Sequence, residues 1–185
     1  MKFVQARNYT RGPRRCPIDL IVLHSMEAAE KPNTAEAVAG WFACASAPKA
    51  SAHFCVDCDS IVQCVRVQDI AWHAKGANHN GVGIELAGYA KQTTVQWKDE
   101  YSSAMLELAA SLVGRLCVDI NLPAEYVDAD DIRLGKRGIT THADVTRAFK
   151  IPGGHTDPGP NFPMQDFIYL VRGYVVYPDD TLHVE

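Results

Sequence analysis

Ile18-Asp19-Leu20-Ile21-Val22-Leu23 is a short, mostly apolar run rich in branched side chains, and it closes on His24. Its length and composition suit a buried strand. Downstream the period changes. Asn33-Thr34 opens a helix, with Glu36 three residues after Asn33 as the partner in a capping box. Val38, Trp41, Phe42 and Ala45 follow at helical spacing, and Pro48 stops the pattern. Residues 52–66 read as a hairpin, with strands at 52–56 and 61–65 around a turn at Asp57-Cys58-Asp59-Ser60. Gly81–Leu86 is a further strand. Residues 97–118 carry the longest helical pattern, with Trp97, Tyr101, Met105, Leu108, Leu112 and Leu116 on one stripe. The polar stretch 119–137 reads as loop, Gly138–Thr141 as an extended piece ending at His142, and 164–172 as a last short helix. Strands that alternate with helices, together with an antiparallel hairpin, predict an α/β domain with a central mixed β-sheet flanked by helices.

At 185 residues the chain fits one domain and is long enough to bury a core. With 47% hydrophobic and 22% charged residues it is neither a disordered chain nor a coiled coil. No uncharged apolar run approaches the roughly 20 residues that span a bilayer, so membrane insertion is not expected. A formal charge of −4 argues against nucleic acid as a partner. Residues 1–17 form a basic arm, with Lys2, Arg7, Arg11, Arg14 and Arg15 ahead of any acid and breakers at Gly12-Pro13 and Cys16-Pro17. The body runs over 18–172. Residues 173–185, with His183, read as a tail or linker stub. No secretory signal is legible, so synthesis in the cytoplasm is expected. The six cysteines are then free thiols by default. Cys55-x-x-Cys58 falls on a strand and a turn, whereas redox pairs sit at a helix N-terminus. Nothing requires more than a monomer.

Seven histidines fall at 24, 53, 73, 79, 142, 155 and 183. His24 and His142 each follow an extended run, and ligands of α/β sheets bind beyond strand ends. His155-Thr156-Asp157-Pro158-Gly159-Pro160 sets His155 and Asp157 two residues apart, and proline holds Asp157 extended, so both side chains address one site. Two neutral imidazoles and one carboxylate, with water in the fourth position, make a catalytic zinc set. His24, His142 and Asp157 supply it, at the strand ends and for one Zn2+. Glu85, in Gly83-Ile84-Glu85-Leu86-Ala87-Gly88, is a carboxylate inside an apolar strand. It is either the solvent face of an edge strand or a general base tuned by its pocket.

Six motifs occur in order: Val22-Leu23-His24, Ser51-Ala52-His53-Phe54, Ala71-Trp72-His73-Ala74, Gly81-Val82-Gly83-Ile84-Glu85-Leu86, Thr141-His142-Ala143-Asp144-Val145 and the segment from His155 to Pro160. Together they resemble the type 2 N-acetylmuramoyl-L-alanine amidases, zinc enzymes related to peptidoglycan recognition proteins. The resemblance runs from about residue 18 to 172. The arm and the stretch from Trp72 to Glu85 look most like amidase domains of phage endolysins.

The resemblance implies zinc on His24, His142 and Asp157, and Glu85 as acid/base. It also implies a cation two residues before the last ligand that steadies the oxyanion, often Lys. Here that position is His155, a departure from the pattern. The implied partners are the glycan strand and stem peptide of peptidoglycan, and His73 resembles a family position lining the substrate groove. Asn80 reads as a loop residue that touches substrate, and His53, alternating with Ala52 and Phe54 on its strand, as a core residue supporting the metal or as a further groove residue. Two other readings share the fold. One is a recognition module that binds peptidoglycan without cleaving it. The other is a recycling amidase acting on soluble muropeptides.

Overall fold

The computed structural model describes residues 1–176. The branched run forms β3 (Leu20–Ser25), with every residue buried. It is flanked by β7 (Gly81–Leu86) on one side and β8 (Gly138–Thr141) on the other, both parallel to it. Beyond β7 lie β4 (Phe54–Val56), parallel to β7, and β5 (Ile61–Gln63), antiparallel to β4. The edge is β1 (Lys2–Phe3), giving the order β1-β5-β4-β7-β3-β8. A second ribbon pairs β2 (Tyr9–Thr10) with β6 (Ile70–Ala71). The mixed sheet expected from the sequence is the sheet observed.

Period-two alternation sorts the two faces. Ile21 and Leu23 of β3 and Val82, Ile84 and Leu86 of β7 pack with α2 (Glu100–Asp119) and α5 (Met164–Val176) in the main core. Asp99 caps α2, its carboxylate accepting from the Ser102 N–H at 2.8 Å. On the opposite face, Cys55 and Val62 meet α1 (Thr34–Ala43). Leu20 and Val22 there meet Ala74, Ala77, Val127 and Val145. His24 and Glu85 fall on this second face by the same alternation.

Several expectations change. Asn33 adopts the left-handed conformation (φ 71°) and its side chain makes no cap. The buried Asp57 of the hairpin turn takes that role, accepting from the Ala35 N–H at 2.9 Å, while Glu36 accepts from the Ser60 hydroxyl. The helix ends at Ala43, short of Pro48. Within the expected loop 119–137, Ala129–Arg133 forms α3, capped by Asp128. The basic arm, for which the sequence suggested no regular element, contributes β1 and β2. The extended piece at Gly138–Thr141 runs straight into an unexpected helix, α4 (His142–Ala148). Helix α5 continues to Val176, past residue 172. His183 lies outside the described residues.

Candidate active site

Parallel pairing brings the carboxyl ends of β7, β3 and β8 to one edge of the sheet. His24, near the end of β3, stands in register with Glu85 on β7. Thr141 ends β8 and caps α4, its hydroxyl accepting from the Asp144 N–H at 3.0 Å. This fixes His142 as the first residue of the helix. The Asp157 carbonyl accepts from the Ala143 N–H at 3.0 Å, which ties the Pro/Gly-rich loop to the same helical turn.

Three side chains converge there. His24 Nδ1 lies 3.0 Å from His142 Nδ1 and 3.2 Å from Asp157 Oδ2. His142 Nδ1 lies 3.2 Å from Asp157 Oδ1. All three residues are buried, and one ligand atom from each falls within 4.8 Å of the others. Two imidazole nitrogens this close can share at most one proton between them, so the cluster presents lone pairs to a common point. Two imidazoles and a carboxylate with one side open to a cleft match the donor set of a catalytic zinc.

The electrostatics follow from burial and crowding. Burial lowers the His24 pKa. Burial also works to raise the Asp157 carboxyl, but its contacts with the His142 and His24 rings outweigh it and hold it well below the usual carboxylate range. Burial, then the negative charge of Asp157, pushes Glu85 well above the range of an ordinary carboxyl. His73 is held well below the usual histidine value, first by burial and then by His24 and His53.

The cluster opens into a cleft of ≈ 210 Å³ that Glu85, His155, Trp41 and Trp72 help to line. The His155 ring stacks on His142, with centroids 4.0 Å apart, and its side chain is 66% exposed. A hollow of ≈ 550 Å³ beside Ile120 lies elsewhere, and one of ≈ 620 Å³ beside Arg147 adjoins the cleft at His155; neither is lined by the three clustered residues.

His24, His142, Asp157, Glu85 and His155 are thus brought together. Glu85 does not sit on an edge strand, because β7 lies between β4 and β3. His73 lines the cleft. The groove expectation fails for two residues. His53 is fully buried behind the cleft, its Nδ1 accepting from the Gly83 N–H at 3.0 Å and its Nε2 2.8 Å from Arg14 Nη2. Asn80 precedes the opposite end of β7 and donates to Asp19 Oδ2 at 3.2 Å. Sequence reasoning also passed over Trp41 as a cleft residue. Trp41 and Phe42 are consecutive and cannot share one helical face, and Phe42 takes the core while Trp41 stays 52% exposed.

The sequence profile described as N-acetylmuramoyl-L-alanine amidase matches residues 14–160. The chain belongs to this family. The amidase is 25% identical over 166 residues to N-acetylmuramoyl-L-alanine amidase A of Achromobacter lyticus, covering 83% of this chain and 82% of that protein. Among solved structures it shares its fold with a selenomethionine derivative of AmpD (TM-score 0.65, 22% identity, 92% of this chain and 93% of the other). It also resembles the Staphylococcus aureus hydrolase AmiA in complex with its ligand (TM-score 0.67, 16% identity, 96% and 87%). The activity is hydrolysis of the amide between N-acetylmuramic acid and L-alanine, and the substrate is peptidoglycan.

Proposed function

We propose that the amidase is a zinc enzyme acting on polymeric cell wall, as the catalytic domain of a phage endolysin and as a single chain. The observation that carries the metal is the convergence of three buried ligand atoms, from His24, His142 and Asp157, beside Glu85 in one cleft. A zinc ion held there would supply a Lewis acid that polarises water and the scissile carbonyl.

The chain's own residues account for the proton traffic. Glu85 takes a proton from the water whose oxygen attacks the carbonyl carbon of the lactyl group. A carboxyl held above the ordinary range is suited to hold that proton and then pass it on. The C–N bond breaks, Glu85 returns the proton to the departing L-alanine nitrogen, and the acid formed on the muramic acid gives its remaining proton to the released amine, leaving a carboxylate and an ammonium. His155, at the exposed rim and stacked on His142, donates a hydrogen bond to the oxygen on which charge develops.

The open rim supports a polymer as substrate. Trp41 is 52% exposed and the His155 side chain 66% exposed, so both are accessible at the rim to a glycan strand that extends beyond the cleft. Among the described residues no helix is long and apolar enough to cross a membrane.

Mass spectrometry of digests tests the reading with two substrates, intact peptidoglycan and soluble muropeptides. The expected result is release of stem peptides with free L-alanine amines from intact wall, abolished by a chelator and restored by zinc. Turnover of soluble fragments alone would replace the endolysin role with recycling.

A further inference from the structure

We propose that His73 is a positioning residue that selects the tautomer of His24, accepting a hydrogen bond from His24 Nε2–H and so leaving Nδ1 free for the metal. The inference rests on the zinc reading above and deepens it.

His24 Nε2 lies 3.1 Å from His73 Nδ1, with the two rings edge to face at 86°. The other nitrogen of His24, Nδ1, is the atom that meets His142 and Asp157. A neutral imidazole carries one N–H. If Nδ1 is to offer its lone pair, the proton must sit on Nε2, and the atom in reach of that proton is His73 Nδ1. Ligating histidines generally donate their second N–H to a carboxylate, a carbonyl or water. Here a second imidazole occupies that place.

The fold builds a seat for this ring. On its cleft-side face β7 reads Gly81, Gly83, Glu85. A Cβ at Gly83 would lie 2.5 Å from His73 Cγ, and one at Gly81 would lie 3.2 Å from His73 Cε1. The ring therefore lies against bare strand backbone that any larger residue would fill. Asn78 pins the loop from the other side, its Oδ1 accepting from the N–H groups of His73 at 2.9 Å and Ala74 at 2.7 Å. His73 also hydrogen-bonds the Gly81 backbone, and Nδ1 is the ring nitrogen turned to His24.

The test is a chelator-competition titration with Zn2+ alone, on the full chain and two variants. Wild-type protein should bind zinc, and His73→Ala should bind it about 10–100-fold more weakly. His73→Asn, whose Oδ1 restores an acceptor, should recover most of that loss. Melting of the zinc-free proteins by circular dichroism shows whether each variant folds. If His73→Ala does not fold, nitrogen-15 NMR of the zinc-free wild type decides, with the His24 proton expected on Nε2. Wild-type zinc affinity in a folded His73→Ala variant, or a His24 proton on Nδ1, would overturn the inference alone. Wild-type protein that takes up no zinc would overturn the metal centre and this inference with it.

Discussion

At the scale of single residues, chemistry and metal binding separate. Glu85 lines the cleft without being one of the three clustered ligands. Glu85→Gln is expected to keep zinc by elemental analysis and to lose turnover by about 10²–10⁴-fold; an unchanged rate would remove Glu85 as the base. His155 makes a second case. If it acts as a donor to the oxyanion, His155→Lys retains measurable stem-peptide release, because an ammonium donates at the same place, whereas His155→Ala loses about 10²–10³-fold. Equal, complete loss in both variants would give His155 a shape role instead.

At the scale of elements, one buried carboxylate organises two of them. Asp57 accepts from the Ala35 N–H of α1 and from the Asp59 and Ser60 N–H groups and Ser60 hydroxyl of its own hairpin turn. Asp57→Ala should therefore cost about 2–4 kcal/mol in urea unfolding, a lost cap plus hydrogen bonds to a charged group. A cost within 0.5 kcal/mol, about what a surface change produces, would contradict that role. The same residue marks a boundary of what the sequence discloses. The local pattern Asn33–Glu36 suggested a cap, but the acceptor that serves α1 is 22 residues away from the donor, at Asp57, and no local pattern encodes such a contact. Strands β3 and β7 were legible because apolar runs mark buried strands. The capping role of β1 at the sheet edge was not, because two residues carry no period and pair only with the distant β5. Helix α4 is seven residues long, too short for periodicity, yet Thr141-His142-Ala143-Asp144 carries a capping signal that points to it. The ligand cluster was legible by residue type and by family resemblance. The burial of His53 was legible from its alternation with Ala52 and Phe54, whereas the placement of Asn80 depended on packing that sequence does not show.

For the whole molecule, the cleft stands on buried histidines that stay neutral, and this sets an acid limit to stability. Burial, then the adjacent Arg14, takes the His53 pKa down to about 3 from 6.5. Below 6.5 the unfolded chain binds a proton that the folded chain refuses. The stability this histidine contributes is complete above 6.5 and is lost as pH falls towards 3, at up to about 1.4 kcal/mol per pH unit. Comparing zinc-free wild type with His53→Gln by urea unfolding at pH 7.5 and pH 5 checks this. The variant should show the shallower acid loss, and parallel slopes would exclude His53 as a source.

The most direct test of the zinc amidase is a titration of metal-free protein with Zn2+ while L-alanine amines released from peptidoglycan are counted. Activity should be absent at the start, rise with added zinc and saturate near one equivalent per chain, and His24→Ala should stay flat throughout. Full release by metal-free wild-type protein, unchanged by added zinc, would contradict the assignment of His24, His142 and Asp157 as the metal centre.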